Sequence, residues 1–274
     1  MAKMGIVWER TTAFVGEHLG ALVPVALLAF VVPSVLNSCV SAAAVTASPG
    51  VRLAVGVVVV LLSIVSFWGS LSVIALATGA SGLAGAGQLA ARRLPAALLV
   101  AIGIGVAAAL AMLPVPLILA TRGYDVLAIA AGQGATMTID PQTSSMVALW
   151  VLVLILAFFF LFTRLLLVST VVLREGLLFG AIRRSWALTR GHGWRILGLL
   201  LLFTLIGGVA QLAAKLVFGS VFALLFGNAP GLTTAMLLTT IVTASVQAVV
   251  MLLLAAFQGK LYVALTATDS VWPA

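Results

Sequence analysis

The chain has 274 residues, of which 64% are hydrophobic and only 7% are charged, and its formal net charge is +8. Soluble domains usually carry about 25% charged residues, so this composition excludes an ordinary soluble fold. Apolar runs that reach the roughly 18 residues needed to cross a bilayer recur, which predicts membrane-spanning helices, because a transmembrane β-barrel shows short alternating segments instead.

The excess of cations would suggest nucleic-acid binding in a soluble protein. No soluble basic domain, arm or aromatic platform is apparent, so we expect no nucleic-acid partner. We interpret the cations as topology signals and as contacts with anionic lipid headgroups. The single cysteine, Cys39, excludes an internal disulfide and a multi-cysteine metal site.

The hydropathy pattern predicts an all-α integral membrane protein that forms one membrane domain over residues 1–274. Six transmembrane helices are expected, arranged as three hairpins, each preceded by a short amphipathic interfacial helix. The expected spans are 19–45, 51–78, 95–120, 146–170, 194–226 and 232–264, and the interfacial segments are 4–18, 80–94 and 174–192.

The N-terminal segment has a competing interpretation as a secretory signal, because Ala42 and Ala44 form a small-residue pattern after an apolar run. Such a leader would exceed roughly 40 residues and would carry two acids, Glu9 and Glu17, before its apolar core. We therefore expect the segment to be retained.

The distribution of basic residues predicts the orientation. Six spans place ten cations on one face, namely Lys3, Arg10, Arg92, Arg93, Arg174, Arg183, Arg184, Arg190, Arg195 and Lys260. The opposite face receives Arg52, Arg122 and Lys215, and Arg164 lies within the fourth span near the richer side. The positive-inside rule makes the richer face cytoplasmic, so we expect a bacterial inner-membrane protein with both termini in the cytoplasm.

The order of segments also predicts a threefold internal repeat of one interfacial segment and one hairpin. Residues 81–83, Ser-Gly-Leu, resemble residues 175–177, Glu-Gly-Leu, and the pair Arg92 and Arg93 parallels Arg183 and Arg184. Repeated units of this size each form one supersecondary element.

One stretch resembles a known family. The run 171–176, VVLREG, followed by 181–186, AIRRSW, by 188–191, LTRG, and by Trp194, resembles the membrane domain attached to some glycerophosphoryl diester phosphodiesterases. That domain also occurs alone in many bacterial membrane proteins. The resemblance is sharpest over residues 164–202 and covers the other spans mainly by their number and spacing. No catalytic domain accompanies it here, so it implies an architecture and we expect no enzymatic activity.

The sequence contains few residues of the types that act in catalysis or bind metal ions. It has six acids and two histidines, with no metalloprotease spacing, phosphate loop or nucleophile elbow. His18 and His192 are expected to be interfacial anchors, since a metal site would need carboxylates such as Glu9 and Glu17 to converge on them. We assign no catalytic residue, no metal ligand and no cofactor.

Two groups of charged residues are candidates for a role at the richer face. The expected headgroup or topology contacts are Arg92, Arg93, Arg183, Arg184, Arg190 and Arg195. Glu175 is expected to pair with Arg174 and Arg164 and to cap the start of the surface helix, where its charge meets the positive dipole end.

Polar residues inside the spans form the third candidate group: Gln211, Thr240, Thr243 and Gln247. Such a stripe either holds helices together by hydrogen bonds or lines a polar pathway, and the first is favoured because no intramembrane acid is present.

The sequence thus predicts a non-enzymatic membrane protein that binds or organises lipids, anionic ones in particular, or that scaffolds a partner protein. The alternative is a transporter or channel for a small or lipidic molecule, and an intramembrane enzyme of phospholipid metabolism is a third option. A protein partner and a homo-oligomer both stay open.

Overall fold

A computed structural model describes residues 4–44, 48–126, 129, 140–191, 193–227 and 233–269, and in these ranges the regular structure is helical without any strand. The helices are α1 (Met4–Glu17), α2 (Leu19–Ala26), α3 (Val32–Ala44), α4 (Pro49–Ala77), α5 (Gly82–Met112), α6 (Pro114–Thr121), α7 (Pro141–Leu165), α8 (Val168–Glu175), α9 (Gly180–Thr189), α10 (Gly193–Phe226) and α11 (Thr234–Asp269). A π-turn, Leu27–Val31, joins α2 to α3.

Six segments are long and apolar enough to cross a membrane, which confirms the predicted all-α polytopic membrane protein. They are Leu19–Ala42, Gly50–Ala77, Gly82–Thr121, Pro141–Glu175, Gly193–Phe226 and Thr234–Ala267. The fourth begins earlier than the predicted residue 146, because the Asp140 side chain accepts a hydrogen bond from the Thr143 amide and Pro141 occupies the first turn. A cap and an initial proline extend the helix over polar residues that hydropathy alone leaves out.

The second interfacial segment, residues 80–94, is not a separate helix as the sequence analysis expected. It forms the first turns of α5, which continues through Pro95 to Met112. At about 1.5 Å per residue, 31 residues extend for about 46 Å, well beyond a hydrocarbon core of about 30 Å. Trp68 on α4 donates a hydrogen bond from Nε1 to the Gly87 carbonyl at 3.1 Å, which fixes this extension to its neighbour.

The first interfacial segment does form its own helix, α1, which ends at Glu17 close to the predicted boundary at residue 18. It packs along α11, and Phe14 is buried between the two. The Lys260 ammonium of α11 lies 4.4 Å from the centroid of the Phe14 ring. This cation–π contact adds to the apolar packing that holds α1 on the bundle.

The first span contains two prolines, and the helix widens between them. Pro24 lies in α2 and Pro33 lies in the first turn of α3, with the π-turn between. A proline ring clashes with the carbonyl four residues earlier, and a π-turn relieves such a clash by moving that carbonyl away. The buried Phe30 of this turn joins the central apolar cluster.

Small residues set how closely the central helices approach. Gly259 of α11 lies against α4, where an added Cβ would be 2.7 Å from the Ala77 Cβ and 3.2 Å from the Ile74 carbonyl oxygen. Gly69 of α4 similarly accommodates Ala29 of the π-turn. Close packing drives helix association in lipid, because the bilayer provides no hydrophobic force between spans. The bundle is therefore centred on α4 and α11.

The three pairs of consecutive spans differ in how they pack. The pairs α3 with α4 and α10 with α11 pack against each other, as hairpins should. In the middle pair, α7 packs against α6, at the far end of the third span. Toward α9, the space between α5 and α7 is occupied by a cavity instead of by packed side chains.

We expect Gly259→Ala to destabilise the protein by about 1–3 kcal/mol, because the new methyl group overlaps Ala77 and a backbone oxygen of α4. The matched control is Gly198→Ala on α10, where no described atom lies within 4 Å of the new Cβ. Thermal unfolding in detergent micelles measures both variants. Equal melting temperatures for Gly259→Ala and the wild type would contradict this helix contact.

Candidate functional site

The turn between α8 and α9 lies against Arg93 of α5. Gly176 ends α8 in the left-handed conformation, with φ of +69°. A Cβ at this position would be 2.6 Å from Nη1 of Arg93, so the turn needs glycine for its conformation and for the approach of the guanidinium. Arg93, an expected headgroup contact, is thereby brought to the third interfacial segment.

Arg174 closes the end of α4. Its Nε donates a hydrogen bond to the Thr78 hydroxyl oxygen at 2.8 Å, and its Nη2 donates to the Thr78 carbonyl oxygen. Thr78 is the C-terminal cap of α4, where carbonyl groups lack partners within the helix. A guanidinium at this end satisfies the carbonyl and interacts favourably with the helix dipole.

Glu175 has other partners, and another place in its helix, than the sequence analysis expected. Its Oε1 accepts a hydrogen bond from the Tyr262 hydroxyl of α11 at 2.9 Å and pairs with Nε of Arg184 at 3.5 Å. It is the last residue of α8 and does not cap the surface helix, because Gly176 ends α8 and α9 begins at Gly180. The carboxylate therefore links α8 to α9 and α11.

Arg164 near the end of α7 is held by aromatic rings. Its guanidinium carbon lies 5.3 Å from the Phe160 centroid and 5.4 Å from the Trp186 centroid, and Nη1 donates to the Thr189 hydroxyl at 3.4 Å. The Arg164 carbonyl accepts a 2.6 Å hydrogen bond from the Ser185 hydroxyl. The backbone at Arg164 thus anchors α9, while the side chain faces a cavity of about 180 Å³.

A larger cavity, of about 720 Å³, lies between α5 and α7 with α9 at one end. Its lining is apolar, and it includes Phe179, the N-terminal cap of α9, and Ile182 and Trp186 of α9 itself. On α5 it is lined by small residues, including Gly103 and Ala107, which leave room beside the larger side chains of α7. The sequence analysis missed this cavity. The available signal was the run of small residues on α5 opposite the phenylalanines of α7.

The remaining cations of the predicted headgroup set are at the surface. Four of them have exposed side chains: Arg92, Arg183, Arg190 and Arg195. They are carried by the first turns of α5, by α9 and its C-terminal cap, and by the start of α10. Arg93 is exposed as well but lies against Gly176, and Arg184 is half-buried and paired with Glu175.

The polar stripe of the last two spans lines two cavities. Gln211, Thr240 and Thr243 line one of about 600 Å³, and Gln247 lines another of about 400 Å³. Ser34 of α3 contributes to both. The threonine hydroxyls donate to backbone carbonyls of their own helix, Thr240 to Met236 at 2.8 Å and Thr243 to Thr239 at 2.9 Å.

The larger of these cavities also contains Lys215, which the sequence analysis used only as a topology marker. Gln211 and Lys215 are four residues apart on α10, so a helix places them on one face. This four-residue spacing could have predicted from the sequence that Lys215 lies beside Gln211. The cavity therefore combines a cation, an amide and several hydroxyl groups.

The histidines do not form a metal site in the described part of the chain. The His18 ring stacks on Phe14 at 4.6 Å, and its Nδ1 lies 3.0 Å from the Phe14 carbonyl oxygen. His192 lies outside the described residues. Within those residues, no three histidine, cysteine, aspartate or glutamate side chains are grouped closely enough to hold a metal ion.

The fold and these sites define an all-α polytopic membrane protein. Beside its apolar cavity lies an arginine-rich region that consists of Arg164, Arg174, Arg183, Arg184 and Arg190. No family model, curated protein or solved structure matches the chain. The resemblance to the membrane domain of glycerophosphoryl diester phosphodiesterases therefore stays a prediction.

We expect Tyr262→Phe to lower the free energy of unfolding by about 1 kcal/mol, because the Glu175 carboxylate loses a hydrogen-bond donor. In the Glu175→Gln background the same change should cost less, since the donor then serves a neutral amide. Denaturant titration in mixed micelles of the wild type, both single variants and the double variant measures the coupling. Additive effects would contradict a direct contact.

Proposed function

We propose that this protein is a non-enzymatic lipid-binding protein that holds single lipids at its basic face, which is cytoplasmic in the proposed orientation. The observation that carries the proposal is the apolar cavity between α5 and α7 with an amphipathic helix at its end. A volume of about 720 Å³ falls in the range of about 300–1,000 Å³ typical of ligand sites.

The residues of α9 and its two caps support the proposal because they include apolar and basic side chains close together. Phe179, Ile182 and Trp186 line the cavity, while the neighbouring Arg183 and the C-terminal cap Arg190 are exposed. A lipid with its acyl chain among the first group has its headgroup near the second. Anionic lipids fit best, since basic residues near a membrane surface each contribute about 1 kcal/mol to binding such lipids.

Filling the cavity should weaken lipid binding. In Ala107→Trp the indole occupies space between α5 and α7, and displacing about three methylene groups of an acyl chain costs about 2.4 kcal/mol, roughly fiftyfold in affinity. The matched control is Ala109→Trp, an exposed alanine of the same helix that is not part of the cavity lining. Native mass spectrometry and thermal stabilisation by phosphatidylglycerol measure binding. Equal affinities of the two variants would rule out this cavity as the acyl-chain site.

Removing exposed cations should reduce the preference for anionic lipid. Arg183→Gln with Arg190→Gln removes two charges, which lowers binding of phosphatidylglycerol by about 2 kcal/mol, roughly thirtyfold, relative to phosphatidylcholine. Arg52→Gln with Arg122→Gln removes the same charge from the opposite face and should leave the preference unchanged. Lipid selectivity in nanodiscs of both compositions is the measurement. If both double variants behave alike, the headgroup assignment fails.

Transport of a small polar molecule is a second candidate function. It is favoured by the two polar cavities that share Ser34 and contain Gln211, Lys215 and Gln247. Transport would become the favoured function on two results together. Ala107→Trp would bind lipid with wild-type affinity, and the arginine variants would keep the wild-type preference for anionic lipid.

A further inference from the structure

The side chain of Arg164 has unused hydrogen-bonding capacity. Its Nε is buried without a partner among the described residues, and the hydrogen bond from its Nη1 to Thr189 is long, at 3.4 Å. A guanidinium carries five N–H donors in a planar arrangement. The contacts of the guanidinium with the Phe160 and Trp186 rings are cation–π contacts, which are not hydrogen bonds.

No carboxylate of the described residues forms an ion pair with Arg164. Glu175, which the sequence predicted as its partner, is engaged by Tyr262 and Arg184. Arginine remains charged in proteins, and Arg164 is half-buried at the end of a span, so an anion beside it would offset part of the cost of that burial. An external anion is therefore the natural partner of this side chain.

One hydrogen bond between α9 and α7 does not use the Arg164 side chain. It runs from the Ser185 hydroxyl to the Arg164 backbone carbonyl, which any residue at position 164 supplies. The side chain adds the contact with Trp186 and the long hydrogen bond to Thr189, and its buried Nε stays without a partner among the described residues.

The cavity next to Arg164 suits a small anion. It measures about 180 Å³ and is lined by Thr163, Gly191, Gly193 and Trp194. A Cβ at Gly193 would be 3.5 Å from Nη2 of Arg164, so the backbone at this glycine lies directly beside the guanidinium. Helix α10 begins at Gly193, which adds the positive end of a 34-residue helix to the arginine charge.

This small cavity adjoins the proposed acyl-chain cavity. Phe160 lines both, and Trp186 lines the larger one while stacking on Arg164. The two rings are 6.2 Å apart in an edge-to-face arrangement and so form a common wall.

We infer that Arg164 is the phosphate-binding residue of this protein and gives it specificity for lipids that carry a phosphate group. The inference rests on the proposed lipid-binding function for the source of the phosphate, since free inorganic phosphate has the same chemistry. Arginine binds phosphate through two parallel hydrogen bonds, which a lysine point charge does not reproduce.

Three probes test this with the full chain in nanodiscs or micelles: phosphatidic acid, diacylglycerol with the same acyl chains, and inorganic phosphate. We expect Arg164→Gln to lose roughly tenfold to a hundredfold in phosphatidic acid affinity and to keep the wild-type affinity for diacylglycerol. Arg164→Lys should recover part of the loss. Arg122→Gln is the charge-matched control and should behave like the wild type.

The outcomes separate the two hypotheses. An unchanged ratio of phosphatidic acid to diacylglycerol affinity in Arg164→Gln overturns the inference and leaves the lipid function standing. If neither lipid binds the wild type, the proposed function fails. In that case Arg164 is supported as a site for free phosphate if inorganic phosphate raises the melting temperature of the wild type and Arg164→Gln abolishes this stabilisation. Absence of that stabilisation as well overturns the inference. If Arg164→Gln fails to fold, the ratio of phosphatidic acid to diacylglycerol affinity is compared between Arg164→Lys and the wild type. An unchanged ratio in Arg164→Lys then overturns the inference.

Discussion

Two adjacent charges at the end of α8 determine where the arginine-rich region lies relative to the bundle. Arg174 binds the end of α4, while Glu175 binds Tyr262 of α11 and Arg184 of α9. Because α4 and α11 are the closely packed centre, these contacts attach α9 to the centre of the bundle. The position of α9 in turn sets one end of the apolar cavity and places Trp186 against Arg164.

The sequence correctly predicted the number of spans, which depends on the length of apolar segments. It did not predict features that depend on a contact of one particular side chain. Six spans follow from apolar runs, whose length the bilayer dictates. The separate helix expected at residues 80–94 does not exist, because Pro95 is tolerated inside a long helix that Trp68 holds. The partners of Glu175 depend on how distant helices cross, so Tyr262, 87 residues away, was out of reach of local patterns. The threefold repeat stays a prediction.

Polar residues within the spans contribute less to helix association than their number suggests. Thr240 and Thr243 use their hydroxyl protons on their own helix, which leaves oxygen atoms, but no donors, for neighbouring helices. Glycine and alanine contacts, such as Gly259 with Ala77, bring the helices together instead. The polar groups consequently line spaces between helices, beside Lys215 and Gln211 in one of them.

The middle pair of spans meets through α6 and diverges toward α9, and under the proposed function this shape would govern how a lipid reaches the cavity. Phe160 and Phe179, which line the cavity, are each more than half exposed, so the cavity opens on the outer surface of the bundle. For the proposed lipid, entry from the surrounding bilayer would keep the acyl chain out of water. Occupancy would then depend on the mole fraction of the lipid in the surrounding leaflet, and even modest affinity would keep the site filled by an abundant membrane component.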